Sequence, residues 1–202
     1  MIFEDAADYV LFEQLLDEAI TRFPVQLAAH CVMPNHFHLL MLPTEDGALS
    51  ACLAWLQSTH AMRWHAARGT AGQGAVYQAR FRSFAIETDR YLETAWRYIE
   101  RTPVRAGLSQ RAEDWPWGSA WNRVHAPARA ARLLRNDFLP LPSDWLERIN
   151  EPLACDEDER LRTCIRRGDP FGSPHWQQAH AHRLGLDRVT RPRGRPRNPD
   201  RK

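Results

Sequence analysis

Residues 25–43 (VQLAAHCVMPNHFHLLMLP) constrain the fold more than any other stretch of the chain. Their apolar and β-branched residues predict two short strands, at positions 25–32 and 37–42. Between the strands, Pro34 fixes φ for a turn and Asn35 tolerates turn geometry. The segment is therefore expected to form an antiparallel hairpin that buries one apolar face against other elements.

The second strand opens with two histidines at alternate positions, His36 and His38. Side chains alternate across a strand, so both imidazoles project from one face. Phe37 lies on the other face, where Leu39 and Met41 can join it in a buried layer. Two neighbouring imidazoles form half of a metal site. The pattern also fits two polar side chains on a solvated strand face, so the motif alone leaves both interpretations open.

Length and composition indicate an ordinary globular chain. The 202 residues are 44% hydrophobic and 26% charged, and no apolar run is long enough for a membrane-spanning helix. The acidic first residues lack the pattern of a secretion signal, so a cytosolic protein is expected. The cysteines show no CxxC pair or zinc-finger spacing, and we interpret all four as free thiols: Cys31, Cys52, Cys155 and Cys164.

Amphipathic helices are predicted on both sides of the hairpin, because apolar residues recur at three- and four-residue spacing in residues 4–23 and 48–68. Residues 76–87 (VYQARFRSFAIE) predict a third strand, with Arg80 and Arg82 on the face opposite its aromatic residues. Basic side chains interleaved with aromatic ones fit a nucleic-acid surface, and they equally fit a solvated strand face.

A further helix is predicted from Thr88, which can cap it, to Thr102, because Pro103 follows. Tyr91, Tyr98 and Thr102 fall on one flank of this helix, at spacings of seven and four. A phenol, a hydroxyl one turn later and two imidazoles can together break a phosphodiester. A divalent ion polarises the phosphate, and the tyrosine attacks to give a phosphotyrosine. Hydrolysis by a metal-bound water would not need the tyrosine.

The C-terminal third of the chain changes in character. Residues 126–187 are rich in Pro and contain three short helix candidates, at 143–150, 155–168 and 174–184. Residues 188–202 contain six Arg, one Lys and one Asp in a chain whose net charge is only +2. This tail has too little apolar surface to fold alone and is expected to be disordered.

Arginine in the tail suits bidentate contacts with phosphate, although biased codon usage would also produce an excess of Arg. Four of the tail arginines alternate with Pro and Gly in a pattern that resembles an AT hook, which lies in a narrow minor groove: Arg191, Arg193, Arg195 and Arg197. A simple basic tail that binds any polyanion is the alternative.

Several motifs occur in a fixed order along the chain: MPNHFHLL, YQARFRSF, RYIERTPVRAGL, AEDWPWGS, DPFGSPHW and RLGLDRVTRPRGRPR. Together they resemble the HUH single-tyrosine transposases, and within these the REP-associated tyrosine transposases. The motifs extend from about residue 25 to residue 197 and so cover most of the chain. Four linked motifs with a matching tail are far more specific than His-x-His alone.

The resemblance implies a ferredoxin-like α+β fold, in which an antiparallel sheet has helices on one face and the nucleophile lies on a following helix. By motif position, His36 and His38 would bind Mg²⁺ or Mn²⁺, and Tyr98 would be the nucleophile. Tyr91 is the competing tyrosine and lies outside the RYIERTP core. Arg105 joins the arginines of residues 76–87 as a candidate DNA contact.

The implied substrate is single-stranded DNA near a hairpin, and the implied product is a 5′-phosphotyrosine with a free 3′-hydroxyl. Residues 1–125 would form the transposase domain, 126–187 an irregular, helical extension and 188–202 a DNA-binding tail. A monomer or a homodimer without membrane contact is expected.

Two features depart from the family pattern. The family commonly has Asn or Gln four residues after the nucleophile, whereas this chain has Thr102, whose shorter hydroxyl can also ligate Mg²⁺. Family members usually begin with a strand before the first helix, and this chain begins at that helix. Residues 76–87 would then lack their neighbour in the sheet and expose an edge. Either translation starts upstream or the copy is decayed.

Three functions remain open. The first, which we favour, is metal-assisted DNA strand transfer through Tyr98. The second is recognition of DNA hairpins without catalysis, which Thr102 and the missing first strand favour. The third is a metal-dependent nuclease that releases its product with water, in which Tyr98 only packs.

Overall fold

The structure is a computed structural model, and it describes residues 1–88, 90–135 and 140–183. These residues form nine α-helices and one two-stranded antiparallel sheet, so the α+β class is confirmed. The elements in chain order are α1 (Ala6–Arg22), β1 (Val25–Met33), β2 (His36–Pro43), α2 (Ala48–Arg68), α3 (Arg90–Glu100), α4 (Thr102–Arg105), α5 (Ser119–His125), α6 (Pro127–Leu133), α7 (Trp145–Asn150), α8 (Cys155–Arg167) and α9 (Pro174–Arg183). None of the helices in the described residues is long and apolar enough to cross a membrane.

The helices that flank the hairpin follow their predicted ranges closely. Asp5 caps α1, because its side chain accepts a hydrogen bond from the Asp8 N–H (3.1 Å). The helix ends just before Pro24, which disfavours helical geometry in the residue before it. α2 occupies the predicted range and is followed by the capping residue Gly69, whose φ of 63° is readily adopted by a residue without Cβ.

The hairpin is the middle layer of the fold. β1 and β2 pair in antiparallel register, with Cys31 opposite His38. On one face, the apolar side chains of β2 pack against the core formed with α1 and α2, as the alternation predicts: Phe37, Leu39 and Met41. On the other face, Cys31 and Leu40 pack with α3, including Trp96. The histidine face of β2 is therefore the face toward α3.

The predicted strand at residues 76–87 is wrong. Only Ile86 forms a bridge, with Phe171, and the backbone around it exchanges hydrogen bonds with this loop: Phe171 N to Ala85 O and Glu87 N to Phe171 O, each 2.8 Å. A strand forms only where a neighbouring strand accepts and donates backbone hydrogen bonds along its length. Residues 76–87 do not join β1 or β2, so their alternating pattern has no sheet face to follow.

The C-terminal helices share a core with α3. Side chains from residues 145–171 lie in the same apolar cluster as Trp96 and Ile99: Trp145, Ile149, Leu161, Cys164 and Phe171. Two arginines of the α3 region donate to carbonyls at the end of α7, Arg97 Nε to Arg148 O (2.9 Å) and Arg101 Nε to Asn150 O (3.3 Å). The extension thus packs on α3 with both apolar and polar contacts.

His60, a completely buried residue of α2, should make the stability of the protein depend on pH. Its Nδ1 forms a hydrogen bond with the Tyr77 hydroxyl (2.7 Å), and burial lowers its pKa to about 4 from 6.5. Below pH 6.5 the unfolded chain therefore binds a proton that the folded chain does not. We expect this residue to cost about 1.4 kcal/mol of unfolding free energy per pH unit as the pH falls from 6.5 toward 4.

Urea unfolding of the wild type and of His60→Gln between about pH 7 and pH 5 measures this contribution. Gln can donate or accept a hydrogen bond with the Tyr77 hydroxyl but does not titrate. The variant should lose stability less steeply with falling pH, whatever its stability at neutral pH. Parallel curves for the two proteins would contradict the assignment.

Candidate functional site

The two predicted histidines lie together on β2. The ring centroids of His36 and His38 are 4.9 Å apart, and the rings are nearly perpendicular. His36 is exposed and His38 is half-buried toward α3. The pair therefore has one side open to solvent and one side against the helix that follows in the core.

The surroundings of both imidazoles favour their neutral form. Burial, followed by the charges of His36 and Arg105, lowers the pKa of His38 to about 3. Burial and the charge of Arg105 also lower the pKa of His36 below its usual value. The His36 Nδ1–H donates to Asn35 Oδ1 (2.7 Å), which leaves the lone pair of His36 on Nε2. Neutral imidazoles with a free lone pair are what metal ligation requires.

Tyr98 is the tyrosine that α3 brings to the histidines. Its ring meets the His38 ring edge-to-face, with centroids 5.9 Å apart. Tyr91 lies two turns earlier, where its ring packs against Phe171 (5.3 Å) and its hydroxyl accepts a hydrogen bond from Arg90 Nη2 (2.8 Å). Of the two candidate nucleophiles, Tyr98 is therefore the one beside the histidine pair.

Arg105 lies over the Tyr98 ring. Its Cζ is 4.0 Å from the ring centroid, a distance at which a guanidinium is attracted to an aromatic face. The same guanidinium also pairs with Asp158 of α8, Nη1 to Oδ1 at 3.3 Å. Arg105 thus joins the tyrosine to the C-terminal part of the chain.

Thr102 contacts the backbone of Tyr98 through its side chain. It is 2% exposed, and its hydroxyl donates to the Tyr98 carbonyl (2.8 Å), as Thr commonly does toward the residue four positions earlier. The oxygen keeps its lone pairs, so its role as a third metal ligand stays a prediction. In the ranges that the structure describes, no group of three or more His, Cys, Asp and Glu side chains is arranged to hold a metal ion.

A buried carboxylate, Glu100, fixes the end of α3 two residues after Tyr98. It is 2% exposed and accepts hydrogen bonds from four side chains: Trp96 Nε1 (3.1 Å), Ser119 Oγ (2.6 Å), Trp145 Nε1 (2.8 Å) and Arg123 Nη1. Arg123 Nη2 also donates to Ala28 O of β1 (3.0 Å). The helix that carries the tyrosine is thereby tied to the strand that pairs with the histidine strand. The sequence pattern gave no sign of this junction.

A cleft of about 180 Å³ opens beside Tyr98. Its walls come from α3 and α4 on one side and from α8 with the segment before it on the other. A larger cleft, of about 690 Å³, lies between α8 and α9 and contains none of the predicted site residues. The smaller cleft is therefore the one that concerns the candidate site.

The predicted DNA-contacting arginines are dispersed. Arg80 and Arg82 are exposed, and Arg82 Nη1 donates to Arg166 O at the end of α8 (2.7 Å). Arg105 is at the tyrosine. The four tail arginines lie outside the described residues: Arg191, Arg193, Arg195 and Arg197.

The comparisons with known proteins place this chain in a class of DNA-processing enzymes. The profile of the family described as "Transposase IS200 like" matches residues 2–102, half of the chain. The chain therefore belongs to the IS200-like transposase family, and DNA is its partner by class. It is similar to a Haemophilus influenzae protein whose name assigns it to the REP-associated tyrosine transposases, with 27% identity over 128 residues, 59% of this chain and 73% of that protein. The resemblance predicted from the motifs is confirmed. No solved structure gives a significant match.

Proposed function

We propose that the protein cleaves and rejoins single-stranded DNA near hairpins, with Tyr98 as its nucleophile. The observation that carries this proposal is the contact of the Tyr98 ring with His38, in a chain of the IS200-like transposase family. Tyr98 has the His38 imidazole and the Arg105 guanidinium beside its ring, and His36 is next to His38. Membership of the family supports DNA as the substrate, and the contact with His38 supports Tyr98 as the reacting side chain.

The proposed covalent step is an exchange of one phosphodiester bond for another, and it needs no further reactant. The phenolic oxygen of Tyr98 attacks the phosphorus, and the bond from phosphorus to the 3′ oxygen breaks. The phenol loses one proton and the departing 3′ oxygen gains one. The 5′-phosphotyrosine keeps the energy of the phosphodiester, so a 3′-hydroxyl can later attack it and restore a DNA strand.

His36 and His38 are the residues that would hold a divalent ion, Mg²⁺ or Mn²⁺, with Thr102 as a third ligand. The fit is supported by the lowered pKa of both imidazoles and by the free Nε2 lone pair of His36. When bound, the ion would polarise the phosphate and offset the charge that develops on it. Asn35 would keep His36 in the metal-binding tautomer, a role that neighbours of metal ligands commonly have.

The hairpin with α1 and α2 on one face is consistent with half of a ferredoxin-like sandwich, and we propose that arrangement for the family core. In that fold a hairpin separates two helices that pack side by side on the sheet. Here α1 and α2 pack together and partly bury Phe37 and Leu39 against the strands.

One observation favours the second candidate, a DNA-hairpin-binding protein without catalysis. The Thr102 hydroxyl donates to the Tyr98 carbonyl instead of pointing to the histidines as a free side chain. A suicide substrate, in which a nick releases the fragment that would reverse the reaction, separates the candidates. A covalent adduct supports strand transfer, cleavage without adduct supports a nuclease, and a shifted band without cleavage supports binding alone.

Loss of the histidines should abolish cleavage and spare binding. His36→Ala and His38→Ala each remove one of only two imidazoles, so we expect adduct formation to fall by about 10²-fold or more at a metal concentration that saturates the wild type. The affinity for an uncleaved DNA hairpin should change little, because the metal acts on the reacting phosphate. Adduct yield against Mn²⁺ concentration measures this, and full cleavage by the double variant would exclude the site.

Thr102→Asn, measured in the same metal titration, examines the third ligand. Asn offers a longer oxygen donor, so a weak third ligand should become stronger and the curve should shift to lower Mn²⁺. Thr102→Val serves as the matched control, because it keeps the shape and removes the oxygen. An unchanged metal dependence in both variants would show that another group completes the shell.

A further inference from the structure

We infer that the cleft beside Tyr98 binds a DNA backbone phosphate that neighbours the reacting phosphate on the same strand. We infer further that Arg162 of α8 contacts this neighbouring phosphate. The inference rests on the proposed function, because it assigns the neighbouring phosphate to the same strand. It gives the C-terminal extension a direct part in substrate binding, which the motifs around the histidines and the tyrosine do not indicate.

Three guanidinium groups line this cleft together with Tyr98: Arg101, Arg105 and Arg162. A single carboxylate, Asp158, faces them. The positive excess is notable, because outside the basic tail the chain carries more acidic than basic side chains. A concentration of arginine in a concave site of an otherwise acidic body is what recognition of phosphate requires.

Two of these arginines converge on one point. Arg105 Nη1 lies 3.3 Å from Asp158 Oδ1, and Arg162 Nε lies 2.8 Å from Asp158 Oδ2. A carboxylate held by two guanidinium groups marks a position where an oxyanion is stabilised from two sides. A phosphate oxygen in that position could take the same donors. Arg162 is about half exposed, so its guanidinium can turn toward a ligand without leaving a buried cavity behind.

The size and lining of the cleft suit a phosphate with part of its sugar. Its volume is about 180 Å³. Pro152 and Leu153 supply an apolar wall beside the arginines. A stacked base would need an open aromatic face, and the Tyr98 ring already has Arg105 on it. The occupant is therefore backbone, and the contact is independent of sequence.

The test is the salt dependence of DNA binding by full-length Tyr98→Phe protein, which removes cleavage from the measurement. The probe is a labelled DNA hairpin with a single-stranded extension. Adding Arg162→Gln should weaken binding several-fold and reduce the slope of log K against log salt by about 0.7, the value for one phosphate contact with single-stranded DNA. Arg162→Lys should restore most of the slope, because it keeps the charge.

Arg166→Gln is the matched control: it lies one turn later on α8, outside the cleft, and its Nη2 donates to Thr163 Oγ1 (3.1 Å). It should leave affinity and slope unchanged. Asp158→Asn should have the opposite effect to Arg162→Gln and tighten binding, since it removes the competing carboxylate. Equal slopes for Arg162→Gln and Arg166→Gln, or weaker binding by Asp158→Asn, would overturn the inference. Because no step requires cleavage, these outcomes are independent of whether the wild type forms an adduct.

Discussion

Replacing Tyr98 by Phe is expected to abolish the covalent protein–DNA adduct. The variant keeps the ring that packs against His38 and under Arg105, and it loses only the attacking oxygen. We expect a fall in adduct formation on the order of 10⁴-fold or more, the scale at which enzymes respond to loss of their nucleophile. Denaturing gels of the protein with a suicide DNA substrate measure the adduct, and unfolding curves show that the fold is intact.

Tyr91→Phe is the matched control, since it makes the same change on the same helix. Tyr91 packs on Phe171, away from the histidines, so its variant should form the adduct at close to the normal rate. Adduct formation at the normal rate by Tyr98→Phe would remove Tyr98 from the mechanism and make Tyr91 the next candidate.

Glu100→Ala is expected to destabilise the protein by about 3–5 kcal/mol, the usual cost of removing one partner from a buried ion pair. The change leaves a guanidinium, two indole N–H groups and a hydroxyl in the core without their shared acceptor: Arg123, Trp96, Trp145 and Ser119. Urea unfolding monitored by tryptophan fluorescence measures the loss directly, because two of the donors are indoles.

Two further variants provide comparisons for the loss of stability expected in Glu100→Ala. Glu100→Gln keeps the volume and one acceptor oxygen, so it should cost about 1–3 kcal/mol. Glu93→Ala, on the same helix, breaks an ion pair with Arg148 that is partly exposed on both sides (3.1 Å), and should cost less than about 1 kcal/mol. A cost for Glu100→Ala no greater than that of Glu93→Ala would show that the junction does not hold α3 in place.

Features that depend on neighbouring residues could be predicted from the sequence. The hairpin, its alternation and the range of α2 follow from local periodicity and turn chemistry, and so does the common face of His36 and His38. The sequence does not determine whether Tyr98 or Tyr91 lies beside the histidines, because both tyrosines are on the same flank of one helix. Only the packing of α3 on the hairpin decides which of the two meets the histidines.

Features that depend on distant partners could not be predicted in this way. Residues 76–87 have the alternation of a strand, but in the structure only Ile86 forms a bridge, with Phe171, and the local pattern carries no information on that distant partner. The sequence presents Glu100 as one charged residue among several, and its role is shown only by its burial among donors from α3 itself, α5 and α7. The sequence predicts Asn35 only as a turn residue, although its position next to His36 is compatible with the hydrogen bond between the two side chains.

The packing of α3 against α7 and α8 has a consequence for how the protein is made. The ribosome releases the histidine strand and the tyrosine helix long before Phe171, whose side chain closes the same apolar cluster. Chains fold from the N-terminus during synthesis, so a nascent chain carries Tyr98 beside an uncovered apolar surface and half a cleft. A stop codon or frameshift between Tyr98 and the start of α8 would therefore leave the histidine pair and Tyr98 encoded, and would yield a chain without the completed apolar cluster or the full second wall of the cleft.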